Sequence, residues 1–231
     1  MSVVGFDADD TLWHSESHFA VTEQRFRDLL APWLPADAVG ERLLTRERAN
    51  LEVFGYGAKG FTLSMIETAL EVSDGTLPPA AVQQLIDWGK ELLSHPVELI
   101  DHVPETLACL AERYRLVLIT KGDLFHQESK VAESGLAELF ERVEIVTEKS
   151  AEIYRKVLQR CSADPTEFVM VGNSVRSDVL PVLELGAQAV HVPYGITWAH
   201  ETVDDIADGC DEPRWLRIDH LGELPGLLGR L

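Results

Sequence analysis

Positive charge is scarce in this chain: 20 Lys and Arg stand against 39 Asp and Glu, a formal net charge of −19. Such a surface repels phosphate backbones and anionic lipid headgroups, so neither nucleic acid nor a membrane is an expected partner. If the protein nonetheless takes an anionic substrate, a metal ion or a few placed lysines must supply positive charge locally. Cysteine is rarer still. Cys109, Cys161 and Cys210 lie far apart and show no CxxC or Cys/His ligand spacing, which argues against a disulfide framework or a zinc site and for reduced thiols in a cytosol. Long apolar runs are missing too: none approaches the roughly 18 uninterrupted apolar residues of a membrane span. The first residues carry no basic n-region before the chain turns acidic at Asp7, so the expected localisation is cytoplasmic. Internal repeats and low-complexity tracts are also absent, and the oligomeric state is left open.

What remains is a chain of 231 residues, 45% hydrophobic, long enough for one large domain or for a core with a smaller insertion. Short apolar runs at residues 2–6 (SVVGF), 116–120 (LVLIT), 143–147 (VEIVT), 168–174 (FVMVGNS, apolar and then polar at its end) and 188–192 (QAVHV) read as strands, with 215–218 as a possible edge strand. Helical periodicity separates them over 104–114, 124–134, 151–161 and 177–185. Strands apolar on both faces and alternating with helices predict a doubly wound α/β fold built on a parallel sheet. From about residue 15 to residue 95 only helical periodicity is found, over 19–30, 38–50, 61–72 and 79–94. That block predicts an inserted all-helical domain over 15–95 on a core of 1–14 and 96–231, hinged near His14 and His95. Phe26, Trp33 and Trp88 are its expected core.

In an open parallel sheet ligands sit beyond the carboxyl ends of the strands. Here those ends read DADDT, TKGD, TEKS and GNSVRSD. In an extended continuation of the first strand, Asp7 and Asp9 would project to one side and converge on a single ligand. Two carboxylates so close would push one pKa upward, whereas a hard divalent cation would keep at least one of them ionised. Asp178 would complete an oxygen-only site or, alternatively, cap a helix starting nearby.

DADDT, the hydroxyl of Thr120, Lys149 and the GNxxxxD segment follow the order and approximate spacing of the four motifs of the haloacid dehalogenase superfamily. The chain resembles its phosphatase-like members, in which a helical cap follows the first motif; the resemblance covers nearly the whole chain. It implies a Rossmann-like core and a Mg2+-dependent phosphatase acting on a small phosphorylated metabolite. Asp7 is then the nucleophile that forms an aspartyl-phosphate, and Asp9 the general acid and later base, aided by a raised pKa. Thr120 would bond a phosphoryl oxygen, and Lys149 would neutralise charge on Asp7 and the phosphoryl group. Asp7, the Asp9 main-chain carbonyl, Asp178 and Asn173 would form the metal site. An aspartate at position 9 separates this pattern from the metal-free dehalogenases, which lack it. Halide displacement from a 2-haloacid is the alternative activity, and a catalytically lapsed binding module the alternative class.

Three departures from the family pattern stand out. Asp10 replaces a usual glycine, and Asn173 replaces a usual acid, which predicts weaker metal binding. The segment after Lys149 is short, which would displace that lysine and make Lys121 its substitute as a substrate-binding cation. In the helical insertion, FGYGAKGF at residues 54–61 is either an ordinary helix connection or, by resemblance, a substrate-reading loop offering Lys59. His14, Glu16 and His18 carry no assigned role.

Overall fold

A computed structural model describes residues 2–203 and 213–230; Cys210 lies outside them. Six parallel strands form one sheet: β1 (Val3–Phe6), β2 (Arg115–Lys121), β3 (Arg142–Val146), β4 (Phe168–Gly172), β5 (Gln188–His191) and β6 (Trp215–Arg217). Their spatial order is β3-β2-β1-β4-β5-β6, so the expected edge strand exists, paired parallel to β5. The order in which strands are added reverses between β1 and β4, beside the first motif. Main-chain pairing runs one residue past β1, since Asp7 N donates to Val171 O at 2.9 Å. That bond fixes the backbone of Asp7 at the sheet's carboxyl end.

Alternate residues of each strand feed two cores. On one face Val4, Phe6, Leu118, Val169, Val171 and Val190 pack against α5 (Val103–Ala111), α9 (Leu224–Leu228) and Val131 of α6 (Leu124–Glu133). On the other, Val3, Val117, Ile119, Phe168, Met170 and Ala189 meet Tyr154, Val157 and Leu158 of α7 (Ala151–Arg160) and Val182 of α8 (Leu180–Glu184). Burial on both faces explains why the central strands are uninterrupted apolar runs. Each fully buried Val, Leu or Ile contributes roughly 1.5–3 kcal/mol relative to exposure.

The described chain divides into two compact units. The first comprises Met1–His14, Val97–Lys121 and Gln127–Leu231, and holds the sheet. The second comprises Ser15–Pro96 together with Gly122–His126, a short stretch that the sequence assigns with the core. Within the second unit, α1 (Glu16–Leu30), α2 (Ala36–Phe54), α3 (Ala58–Val72) and α4 (Pro79–Leu93) enclose Phe26, Leu30, Leu43, Met65, Leu85 and Trp88. Trp33 departs from expectation: it is 39% exposed, because it follows the end of α1 in a turn and no longer shares that helix's inward face. No described helix is long and apolar enough to cross a membrane.

Candidate active site

The turn after β1 decides where the first motif's carboxylates go. Leu12 N donates to Ala8 O at 2.8 Å and Asp10 N to Trp13 O at 2.8 Å, closing a tight loop over residues 8–13. Asp10 sits at its corner with φ 62°, a left-handed conformation that Asp tolerates better than most residues and glycine adopts freely. Strand alternation therefore stops at Phe6, and Asp7 and Asp9 enter separate hydrogen-bond environments instead of converging on one partner.

Asp7 faces the ends of β3 and β4. Its Oδ1 accepts from Lys149 Nζ, and its Oδ2 accepts from Thr11 Oγ1 at 3.0 Å. The same ammonium donates to Asp178 Oδ1 at 2.7 Å, with the Lys149 and Asp178 side chains only 2% and 1% exposed. One cation thus bridges two buried carboxylates, which leaves a net negative charge. Burial raises the Asp7 pKa to about 7 against the pull of Lys149, with Asp178 and, more weakly, Asp9 pushing the same way. Burial opposes the charge on Lys149, but Asp178 and Asp7 outweigh it and hold the ammonium above its ordinary pKa. Lys149 is not displaced: Ser150 caps α7 through its Oγ and Ile153 N at 3.3 Å, and the residue before the cap is aimed inward.

Asp178 lies in a π-helical turn, Val175–Val179, capped by Ser174 and not by Asp178. Its Oδ2 accepts from Ser174 N at 3.0 Å. A Cβ on Gly172 would stand 2.3 Å from the Asp178 carboxyl, so the glycine that ends β4 is what lets this acid lie against the strand. Tyr154 supports the arrangement from below, donating to Ser177 O at 3.0 Å. Burial, then Asp178 and Asp7, raise its pKa well above the usual phenol value, so it stays a donor. Asn173 joins through Thr11, whose Oγ1 accepts from Asn173 N at 3.1 Å and lies 3.4 Å from Asn173 Oδ1.

Asp9 is held by three donors: Trp13 Nε1 at 2.7 Å, Lys130 Nζ at 2.5 Å and Gln127 Nε2 at 3.0 Å. Burial pushes its pKa up, but the charge of Lys130 and these hydrogen bonds outweigh it, so Asp9 is held below the ordinary carboxylate value. The raised pKa expected at Asp9 is thus found at Asp7, because the cations are unequally shared: Lys149 serves two carboxylates and Lys130 only one. Gln127 Nε2 also lies 2.7 Å from Thr120 Oγ1 and 3.1 Å from Lys121 O, so its two N–H groups are shared among three acceptors. Thr120 is buried and, accepting from Gln127, keeps its own O–H to donate elsewhere.

The structure thus brings Asp7, Lys149 and Asp178 into direct contact, with Asn173 one hydroxyl away and Thr120 and Asp9 joined through Gln127. Lys121 takes another course, as its ammonium meets Glu201 and lies 2.9 Å from Ser177 Oγ and 3.7 Å from Glu148. It does not substitute for Lys149. Lys59 belongs to the helical unit, where it pairs with Asp123 at 2.9 Å and lies 5.9 Å from the Phe125 ring centroid. Thr11, Gln127, Lys130, Tyr154 and Glu201 carry no sequence signal beyond position. Gln127 and Lys130, one helical turn apart, share a face of α6, but that spacing alone does not say which way the face points.

Among the described residues no cluster of three His, Cys, Asp or Glu is poised to hold a metal. The donors that are present, two carboxylates, an amide oxygen and main-chain carbonyls, are all hard oxygens. They fit a cation such as Mg2+ that keeps several of its waters.

Fold and cluster together define the class: an α/β protein that gathers carboxylates and a lysine at its strand ends. The chain belongs to the haloacid dehalogenase-like hydrolases, whose family model matches residues 1–186. It is similar over its whole length to a haloacid dehalogenase-like family hydrolase from Xanthomonas campestris, at 42% identity and a TM-score of 0.89, covering 91% of that chain. A 2-haloacid dehalogenase from Pseudomonas syringae shares the fold at 24% identity and a TM-score of 0.61, with 100% of this chain and 99% of that one covered. A glyceraldehyde 3-phosphate phosphatase from Pyrococcus abyssi is 31% identical over 87 residues, which is 36% of this chain and 37% of that protein's length.

Proposed function

We infer that the protein is a Mg2+-dependent phosphatase that hydrolyses a small phosphorylated metabolite through an aspartyl-phosphate on Asp7. The observation that carries this reading is the Asp7 carboxylate at the end of β1, buried against the Lys149 ammonium, with a second carboxylate, Asp9, nearby in its own donor set. The similarity to a phosphatase points the same way.

In the first half-reaction an Asp7 oxygen attacks phosphorus, the bond to the ester oxygen breaks, and Asp9 as a carboxylic acid gives its proton to the leaving alkoxide. Lys149 and the Thr120 hydroxyl stabilise charge on the phosphoryl oxygens. In the second half Asp9, now ionised, removes a proton from the water that attacks phosphorus, which releases inorganic phosphate and restores Asp7. The donors around Asp9 suit this second role, since they favour the carboxylate. The first role requires Asp9 to loosen from Lys130 and take up a proton. Asp7, Asp178, Asn173 and the Asp9 carbonyl would hold Mg2+, which when bound supplies further positive charge to the phosphoryl oxygens. Motion of the helical unit about hinges near His14 and His95 would admit substrate and exclude water during the reaction.

A chromogenic aryl phosphate incubated with protein and Mg2+ tests the reading. Hydrolysis is expected, a chelator should abolish it, and Asp7→Asn should be inert. Halide release from a 2-haloacid without phosphate release would replace this function with its dehalogenase rival. Neither activity would leave the lapsed binding module.

A further inference from the structure

A second group of donors converges on one carboxylate that belongs to the chain itself. Lys121 Nζ, at the end of β2, contacts Glu201 Oε1, while Ser174 Oγ and Ser177 Oγ each donate to Glu201 Oε2 at 2.6 Å. The Lys121 and Glu201 side chains are 15% and 11% exposed. Glu201 arrives on the segment that follows β5, held by a turn in which Glu201 N donates to Trp198 O and by Arg176 Nη1 on His200 O, both at 2.8 Å. An ammonium and two hydroxyls around a single carboxylate form the set of charge-assisted bonds that any anionic oxygen group would find there. The group adjoins the reacting carboxylates: Lys121 follows Thr120, Asp178 follows Ser177, and Ser174 N binds Asp178 Oδ2 at 3.0 Å.

We propose that Lys121, Ser174 and Ser177 form a second anion subsite beside Asp7, that its ligand is a distal carboxylate or phosphate of the substrate ester, and that Glu201 fills it as a tethered competitor. The assignment of the ligand rests on the phosphatase reading; the existence of the subsite does not. A tethered group competes at an effective concentration of roughly millimolar or more. A free ester with a second anionic group must therefore displace Glu201 and then endure its negative charge close by. Glu201 is therefore a specificity-determining residue that tempers how tightly the unmodified enzyme holds an ester's distal anionic group. Lys121 and the serine hydroxyls hold the Glu201 pKa, against burial, down at about 2, so protonation near neutral pH does not release it.

Glu201→Ala and the near-isosteric Glu201→Gln test this, with folding checked by circular dichroism. Sulfate binding by calorimetry, which needs no turnover, should tighten by about tenfold in Glu201→Ala, the displaced competitor's effective concentration setting the scale. The ratio of kcat/KM for a short phosphate ester ending in a carboxylate to that of a matched ester ending in a hydroxyl should rise by a similar factor, with Glu201→Gln moving the same way. Adding Lys121→Gln to Glu201→Ala should cancel both gains. Unchanged sulfate affinity in Glu201→Ala, or a gain that survives loss of Lys121, overturns the subsite. Tighter sulfate with an unchanged ester ratio overturns the distal group as its ligand. Failure of every variant to hydrolyse any ester refutes the phosphatase reading and with it that ligand, while the sulfate result still decides the subsite.

Discussion

Asp7 and Asp9 are separated by a single alanine yet differ in the company they keep. Asp7 shares its cation with Asp178, and Asp9 has Lys130 nearly to itself. An acid held ionised is a poor proton donor, so leaving groups that depart without help should be hydrolysed more readily than alkoxides. Asp9→Asn is expected to slow alkyl phosphate hydrolysis by about 10²–10⁴-fold, the usual worth of general acid–base catalysis, and aryl phosphate hydrolysis by much less. Steady-state rates on a matched pair of esters would show it, and equal losses on both would remove Asp9 from the proton-donor role. Glu201 offers a prediction on stability. Its folded-state pKa of about 2 lies below the ordinary 4.5, so the unfolded chain takes up its proton first as pH falls. The stabilisation is fully present above pH 4.5 and is lost progressively toward pH 2. At neutral pH Glu201→Gln should cost about 3 kcal/mol in a urea titration, each pKa unit being worth about 1.4 kcal/mol. That difference should shrink as both proteins are titrated into acid.

At the scale of elements, the end of β4 shows how backbone clearance governs a side chain. A methyl group at Gly172 would collide with the Asp178 carboxyl, so Gly172→Ala should push Asp178 off the strand while leaving the sheet intact. Under the proposed Mg2+ dependence, the metal concentration giving half-maximal activity should rise by about tenfold or more, the usual cost of disturbing a ligand's support. An unchanged requirement would remove Asp178 from the metal site. Five of the six strands, β1 to β5, were legible in the sequence, the four inner ones because strands buried on both faces admit few polar residues and the edge strand β3 through its alternation, and the cluster of Asp7, Lys149 and Asp178 because each follows such a run. The turn after β1 was not legible. Alternation was extended through Asp9, but hydrogen bonds among Ala8, Asp10, Leu12 and Trp13 replace the ladder there, and a period of two carries no information once the ladder ends. Gln127 and Lys130 were hidden for another reason: polar residues on an amphipathic helix read as its solvent face, and only tertiary contact shows that these two turn inward to Asp9.

Over the whole molecule, a formal charge of −19 sets the long-range field. The named lysines do little to offset it at distance, because Lys149, Lys130, Lys121 and Lys59 are each matched by a carboxylate. A negative protein and a negative ester repel until ions screen them, over a Debye length that falls from about 30 Å at 0.01 M to about 8 Å at 0.15 M ionic strength. With Mg2+ held saturating, kcat/KM should therefore rise as an inert salt is added across that range. A fall would mean that local positive charge dominates the approach.

The helical unit is written in two instalments. Most of it is Ser15–Pro96, but Gly122–His126 is encoded much later, and that later piece brings Asp123 to Lys59. Anyone transplanting residues 15–96 into a related scaffold would leave the counterion of that lysine behind, so a faithful chimera has to carry both cuttings of chain.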